Sequence, residues 1–131
     1  MPELKAKLTG FVEGDSLVVR RTIDRAGSEL AAGATVTKAW MTVKEALDDE
    51  DPGLFQKVIT TTDVPGTGQI ENNGSGDLDP VVRFDWLPTD TRAIGPTKRY
   101  YDIQIQLNDG TITTPERGTT KALDEVTLAD S

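Results

Sequence analysis

The stretch from Lys98 to Thr127, KRYYDIQIQLNDGTITTPERGTTKALDEVT, decides the fold of this chain. From Tyr100 to Leu107 polar and apolar residues alternate, so Tyr101 and its apolar companions share one sheet face and Tyr100 lies on the other. Asn108-Asp109-Gly110 then predicts a turn, and Thr111 to Thr114 begins a returning strand. The stretch therefore predicts a β-hairpin.

Short β-type segments separated by turn residues also fill the rest of the chain, which has 18 threonines, 12 glycines and 7 prolines. A helical turn capped by Thr89 is predicted from Thr89 to Ile94. The other predicted strands are Leu4 to Val12, Ser16 to Asp24, Ala34 to Lys44, Leu54 to Thr62, Gln69 to Glu71 and Pro80 to Leu87. Together with the hairpin they make about eight short strands, which predicts an all-β fold, an antiparallel β-sandwich of the immunoglobulin-like kind.

Two of these strands do not follow a simple pattern. Arg21 interrupts the apolar face that Val19 and Ile23 form. The strand from Ala34 to Lys44 has apolar residues on both faces: Ala39, Met41 and Val43 on one, and Val36, Trp40 and Thr42 on the other. Bulky aromatic residues usually lie in cores and next most often at interfaces. We therefore expect Trp40 to contact a partner, whereas Phe55, Trp86 and Tyr100 are assigned to the core.

The composition limits what the chain can do. Its 131 residues predict a single domain, 1–131, with the first and last ten residues as short extended arms. The chain has no cysteine and no histidine, which excludes disulfides, thiolate metal sites and Ser-His or Cys-His catalysis. We therefore predict that it is not an enzyme.

The net charge of −8 and the pI of about 4.5 predict an acidic surface. Such a surface repels phosphate groups, so binding to nucleic acid or to anionic membranes is not expected. No apolar run approaches the roughly 20 residues of a membrane span. The N-terminus lacks the pattern of a signal peptide, and we expect the chain to stay in the cytosol where it is made or to enter a structure assembled there.

The densest charge cluster consists of Asp48, Asp49, Glu50 and Asp51. Clustered carboxylates suggest calcium, but the alternating spacing of a calcium-binding loop is missing. A solvated loop explains the cluster better, so no metal and no cofactor is predicted. Gly66-Thr67-Gly68 lacks the Lys-Ser/Thr of a phosphate-binding loop and predicts only a turn.

Several short motifs follow one another along the chain in a defined order and spacing. They are Trp40-Met41-Thr42-Val43-Lys44, Leu54-Phe55-Gln56-Lys57, Gly68-Gln69-Ile70, Val82-Arg83-Phe84, Pro88-Thr89-Asp90-Thr91, Tyr100-Tyr101-Asp102-Ile103-Gln104, Gly110-Thr111-Ile112-Thr113-Thr114, Gly118-Thr119 and Asp124-Glu125-Val126-Thr127. This series resembles the immunoglobulin-like domain of phage baseplate upper proteins and related small virion proteins of tailed phages. The resemblance covers most of the chain, from Phe11 to Thr127.

The resemblance implies a structural protein of the virion without enzymatic activity. In baseplate upper proteins the domain anchors a longer chain, so a chain of this length is expected to be an adaptor, cement or decoration subunit of the head, neck or baseplate. Its expected partners are other virion proteins in a symmetric multi-copy assembly, contacted through sheet edges, loops and arms. Trp40 and the loop from Glu45 to Gly53, which carries Asp48, Asp49, Glu50 and Asp51, are the expected contact residues.

Other functions remain alternatives at this point. A carbohydrate- or receptor-binding β-sandwich would place exposed aromatic residues around one concave face. An enzyme would have to work without histidine and cysteine. A bacterial surface or adhesion domain would need an export signal, which the N-terminus does not show.

Overall fold

The computed structural model describes residues 6–46, 50 and 53–123. The strands in this part of the chain are β1 (Ala6–Leu8), β2 (Leu17–Thr22), β3 (Val36–Lys44), β4 (Phe55–Ile59), β5 (Gly68–Asn72), β6 (Val81–Trp86), β7 (Arg99–Leu107) and β8 (Ile112–Thr120), and its helix is α1 (Pro88–Ile94). The predicted all-β class and number of strands are confirmed.

The strands form two sheets that pack face to face. One has the order β1-β8-β7-β3-β4, and the other has the order β2-β6-β5. Neighbouring strands are antiparallel except β1, which pairs in parallel with β8 at Gly118–Thr120. This division of strands between the sheets resembles that of immunoglobulin domains. Helix α1 lies where the helical turn was predicted, and it connects β6 of the smaller sheet to β7 of the larger one.

The core lies between the sheets and follows the period-two patterns of β6 and β7. The inward residues are Val82, Phe84 and Trp86 from β6 and Tyr101, Ile103, Ile105 and Leu107 from β7, all buried as predicted. Trp86 is edge-on to two further aromatic rings, with centroids 5.7 Å from Phe11 and 5.3 Å from Phe55. Full burial of each large apolar side chain contributes about 1.5–3 kcal/mol to stability. The burial of these side chains, and not a disulfide, holds the two sheets together.

Two local predictions, for β3 and for α1, were wrong. Val36 faces the core and not the face of Trp40, because a register shift between Val36 and Lys38 inserts an extra residue into β3. Thr89 does not cap α1. Pro88 occupies the first helical position, so the cap position falls on Leu87, whose N–H donates to Asp90 Oδ2 at 2.7 Å.

The first strand is also shorter than predicted. It ends at Leu8, and Gly10 has a φ of 89°, a left-handed conformation that breaks the extended chain. Val12 returns to the sheet only as an isolated bridge to Leu123. Leu4, the predicted first residue of this strand, lies outside the described residues.

Strands at the sheet edges carry residues that oppose the addition of another strand. Arg21 on β2 and Lys57 on β4 point toward the core, where they pair with Glu116 (3.0 Å) and Asp90 (2.8 Å). Pro115 lies inside β8, which the described residues of β1 cover only at Gly118–Thr120, and it has no N–H to donate. Inward charges and proline are both recognised means of blocking edge pairing.

Candidate functional site

Trp40 lies on the outer face of the larger sheet. Its neighbours Ala39 and Met41 are fully buried, so alternation directs the indole away from the core. Trp40 is half-buried and pairs across the sheet with Val58 on β4 and with Gln104 on β7. The outward position agrees with the sequence pattern, whereas a contact with a partner stays a prediction.

Tyr100 lies on the same outer face, at the start of β7. It pairs with Lys44 on β3 and with Thr119 on β8. Its assignment to the core was wrong, because Tyr101 takes the inward position and the next residue in an extended strand must face the other way. The alternation from Tyr100 to Leu107 already contained this signal.

A lysine ammonium group lies over each of these rings. Lys38 Nζ is 5.4 Å from the centroid of the Trp40 ring, and Lys98 Nζ is 5.4 Å from the centroid of the Tyr100 ring. Both distances fall within the range of cation–π attraction. Each ring therefore holds a positive charge on the outer surface of the sheet.

We call this surface the Trp40 face, and it consists of Lys38, Trp40, Thr42, Lys44, Val58, Lys98, Tyr100, Asp102, Gln104 and Arg117. Asp102 is the one carboxylate among these ten described residues, and the strand register places it beside Thr42 on β3 and Arg117 on β8. Val58, at 39% exposure, adds an apolar contact next to Trp40. The face is thus cationic and aromatic on a chain whose net charge is −8.

The outer face of the smaller sheet has a different character. Arg20 and Arg83 lie directly opposite each other, and Glu71 bridges them at 2.6 Å and 3.2 Å. Arg83 also contacts Asp63 at 2.5 Å and Asp85 at 3.1 Å. The hydrogen bond from Arg20 lowers the pKa of Glu71 below its usual value. On this surface each of the two arginines is paired with carboxylates, and the three carboxylates outnumber the arginines by one.

A polar group joins the two sheets inside the sandwich. Arg21 Nε donates to both oxygens of Glu116, at 3.0 Å and 3.2 Å, and Tyr101 Oη donates to Glu116 Oε2. Burial raises the pKa of the Tyr101 phenol, and its hydrogen bond to Glu116 raises it further. The sequence gave one signal for this group, the interruption of an apolar face by Arg21, but not the identity of its partners.

The same polar group borders a cleft of about 290 Å³ between β2 and β8. Ile23 and Ile103 contribute apolar surface to its wall, and Pro115 lies at its rim. Arg21 and Tyr101 both donate hydrogen bonds to the Glu116 carboxylate. The arrangement links β2 to β8 across the core.

The predicted acidic contact loop lies mostly beyond what the structure describes. Asp48, Asp49 and Asp51 are outside the described residues. Glu50 is exposed, and its carbonyl accepts a hydrogen bond from Gly53 N at 2.9 Å. Its relation to Trp40 stays a prediction.

Within residues 6–46, 50 and 53–123, no group of three or more acidic side chains is placed to hold a metal ion. In that same part of the chain, α1 is too short and too polar to cross a membrane. No protein-family model matches the chain, and neither a curated protein nor a solved structure matches it.

Proposed function

We propose that this chain is a structural protein of a tailed-phage virion. It acts as an adaptor, cement or decoration subunit of the head, neck or baseplate and works by docking on other virion proteins. The order of its sequence motifs, which resembles the immunoglobulin-like domain of phage baseplate upper proteins, supports the class of protein. The observation that carries the docking role is the outward position of Trp40 in the middle of a sheet face.

Docking through a sheet face fits the molecule better than addition of a strand at β2, at β4 or along the uncovered part of β8. A partner strand added at β2 or β4 would run beside an inward-pointing arginine or lysine, and along β8 it would meet Pro115. The Trp40 face has no such obstacle, and it combines a large aromatic side chain with exposed Val58. Tryptophan, tyrosine and arginine are the residues that most often dominate binding energy at protein interfaces.

The arrangement of carboxylates supports a role without catalysis. Glu116 is held by Arg21 and Tyr101, and Glu71 is held by two arginines. These hydrogen bonds join strands to one another, Glu116 of β8 to Arg21 of β2 and Glu71 of β5 to arginines of β2 and β6, which fits a structural role.

The test is incorporation into particles of the phage that encodes the chain. Wild-type protein, Trp40→Ala and the control Val18→Ala would be supplied to particles lacking it, and the copies bound would be counted by quantitative mass spectrometry. Val18 is a suitable control because it is 54% exposed on the other sheet. We expect Trp40→Ala to reduce incorporation at least about tenfold, since truncation of an interface tryptophan typically costs 2 kcal/mol or more.

Two results would count against the proposal. Absence of the wild-type chain from particles would overturn the virion role itself. Normal incorporation of Trp40→Ala would leave the virion role in place and remove the Trp40 face as its docking surface. Strong binding of the wild-type chain to a glycan array would instead favour the carbohydrate-binding alternative.

A further inference from the structure

We infer that the Trp40 face binds an acidic surface on a neighbouring protein subunit, and that the ammonium groups of Lys38 and Lys98 are its main contacts. The inference rests on the proposed function for the kind of neighbour, a different protein of the same particle. Its chemical basis lies in how this face arranges its charges.

Lys38 and Lys98 are positioned by the same local device. Each lysine precedes an aromatic residue by two positions: Lys38 lies on β3 with Trp40, and Lys98 directly precedes β7, which contains Tyr100. The ammonium group of each lies 5.4 Å from the ring centroid. A lysine held in this way loses less side-chain freedom when it binds a carboxylate, because the ring already restricts it.

The strand register sets the spacing of the two positions. Tyr100 pairs with Lys44, four residues along β3 from Trp40, so the backbone positions of Trp40 and Tyr100 are about 14 Å apart along the strand direction. Because β3 and β7 are antiparallel, Lys38 and Lys98 lie beyond these two positions, at opposite ends. Lys44 and Arg117 add positive charge around Tyr100. A complementary partner therefore presents carboxylates at two separate places along the strand direction.

The charge of the whole chain selects the partner. With a net charge of −8, two copies of this protein repel each other at long range. An acidic patch on a second copy is therefore a poorer partner than an acidic patch on a different subunit whose net charge is less negative. Attraction between the cationic face and an acidic patch also fixes orientation, since complementary potentials mainly govern specificity and association rate.

Nucleic acid is also anionic, but the face does not suit it. Single-stranded nucleic acid binds sheet faces by stacking bases on open aromatic rings. Here Lys38 and Lys98 already cover the rings of Trp40 and Tyr100. The net charge of −8 also opposes phosphate binding by the chain as a whole.

The first experiment uses poly-L-glutamate as the acidic probe and the full chain as the protein. Affinity would be measured by titration calorimetry at low and high salt for wild type, Lys38→Gln/Lys98→Gln and the control Arg20→Gln/Arg92→Gln. The control removes the same charge from exposed positions elsewhere, on β2 and α1. Circular dichroism of each variant would verify that it remains folded.

We expect the Lys38→Gln/Lys98→Gln variant to bind about fivefold more weakly at low salt, and the control to stay within about twofold of wild type. Wild-type binding should weaken as salt rises. An equal loss in both variants, or tighter binding of an oligo-thymidine strand than of poly-L-glutamate, would overturn the inference.

The second experiment separates this inference from the proposed function. Lys38→Glu/Lys98→Glu and wild type would be compared for incorporation into particles. Wild-type incorporation together with unchanged incorporation of the variant would overturn the acidic partner and leave the virion role standing. If the wild type itself does not incorporate, the virion role fails, while selective loss of poly-L-glutamate binding would still support a face built for acidic proteins.

Discussion

At the scale of single residues, Tyr101 and Glu116 show how one polar contact is accommodated in an apolar interior. Tyr101 is 3% exposed, so its hydroxyl needs a partner, and Glu116 supplies the acceptor. Arg21 then compensates the charge of Glu116. Glu116 is therefore the central member of the group, and removing it would take away the acceptor of the buried Tyr101 hydroxyl.

This group makes the stability of the protein sensitive to alkaline pH. Folding raises the pKa of Tyr101, so the folded state keeps the phenolic proton where the unfolded state loses it. The stabilisation is complete below the ordinary tyrosine pKa of about 10 and decreases as the pH rises above that value, by at most about 1.4 kcal/mol per pH unit. Urea unfolding across this range should show a steeper loss for wild type than for Tyr101→Phe. Parallel pH profiles for the two proteins would contradict the assignment.

At the scale of elements, β5 depends on a single glycine. Gly68 has a φ of 136°, and a Cβ atom at this position would lie 2.0 Å from Arg83 O and 3.0 Å from Ile59 Cγ2. The backbone of β5 therefore approaches β6 more closely than any side chain allows.

We predict that Gly68→Ala destabilises the protein by more than about 3 kcal/mol or prevents folding, because the clash is with backbone that cannot move aside. Gly76→Ala is the matched control: its φ is 77°, but no atom lies within 4 Å of the added Cβ. Only the cost of a left-handed conformation, about 1–2 kcal/mol, applies there. Equal urea midpoints for the two variants would show that β5 can shift to accept a side chain.

The elements also show what the sequence could predict. Strands β6 and β7 were predictable because polar and large apolar residues alternate strictly in them, so only one sheet face of each strand can be turned toward the core. The inward turn of Val36 was not predictable, because a bulge changes the face of a residue without any change in residue type. The cap at Leu87 was missed because the reciprocal bond from its own N–H to Asp90 does the capping, and leucine itself carries no capping signal.

The candidate surface was only partly predictable for a similar reason. Apolar residues on both faces of β3 identified Trp40 as an outward residue. Lys38 and Lys98 each lie only two residues before the ring they contact, but neither contact was identified. The pairing of β3 with β7, which brings both lysines onto one face, joins strands that are far apart in sequence. Arg21 was visible as an anomaly, but its partner Glu116 is 95 residues away.

At the scale of the whole molecule, both sheets contribute to one core, which predicts a single cooperative unfolding transition. The two tryptophans report on different places: Trp86 is buried between the sheets, and Trp40 lies outside the larger sheet. In the wild type, the unfolding midpoint measured by tryptophan fluorescence should equal the midpoint measured by far-UV circular dichroism. The fluorescence transition of Trp40→Phe should have the same shape as these two wild-type transitions. Separate midpoints for the two wild-type probes would show that the sheets unfold independently.

The blocked edges have a consequence for how the protein behaves when it is crowded. Multi-copy assemblies bring identical chains to high local concentration, and the usual hazard for β-rich chains is amyloid-like stacking of exposed strands. Arg21, Lys57 and Pro115 interrupt three strands at which such growth could begin. These three residues oppose such stacking at β2, β4 and β8, and they are separate from the residues of the Trp40 face.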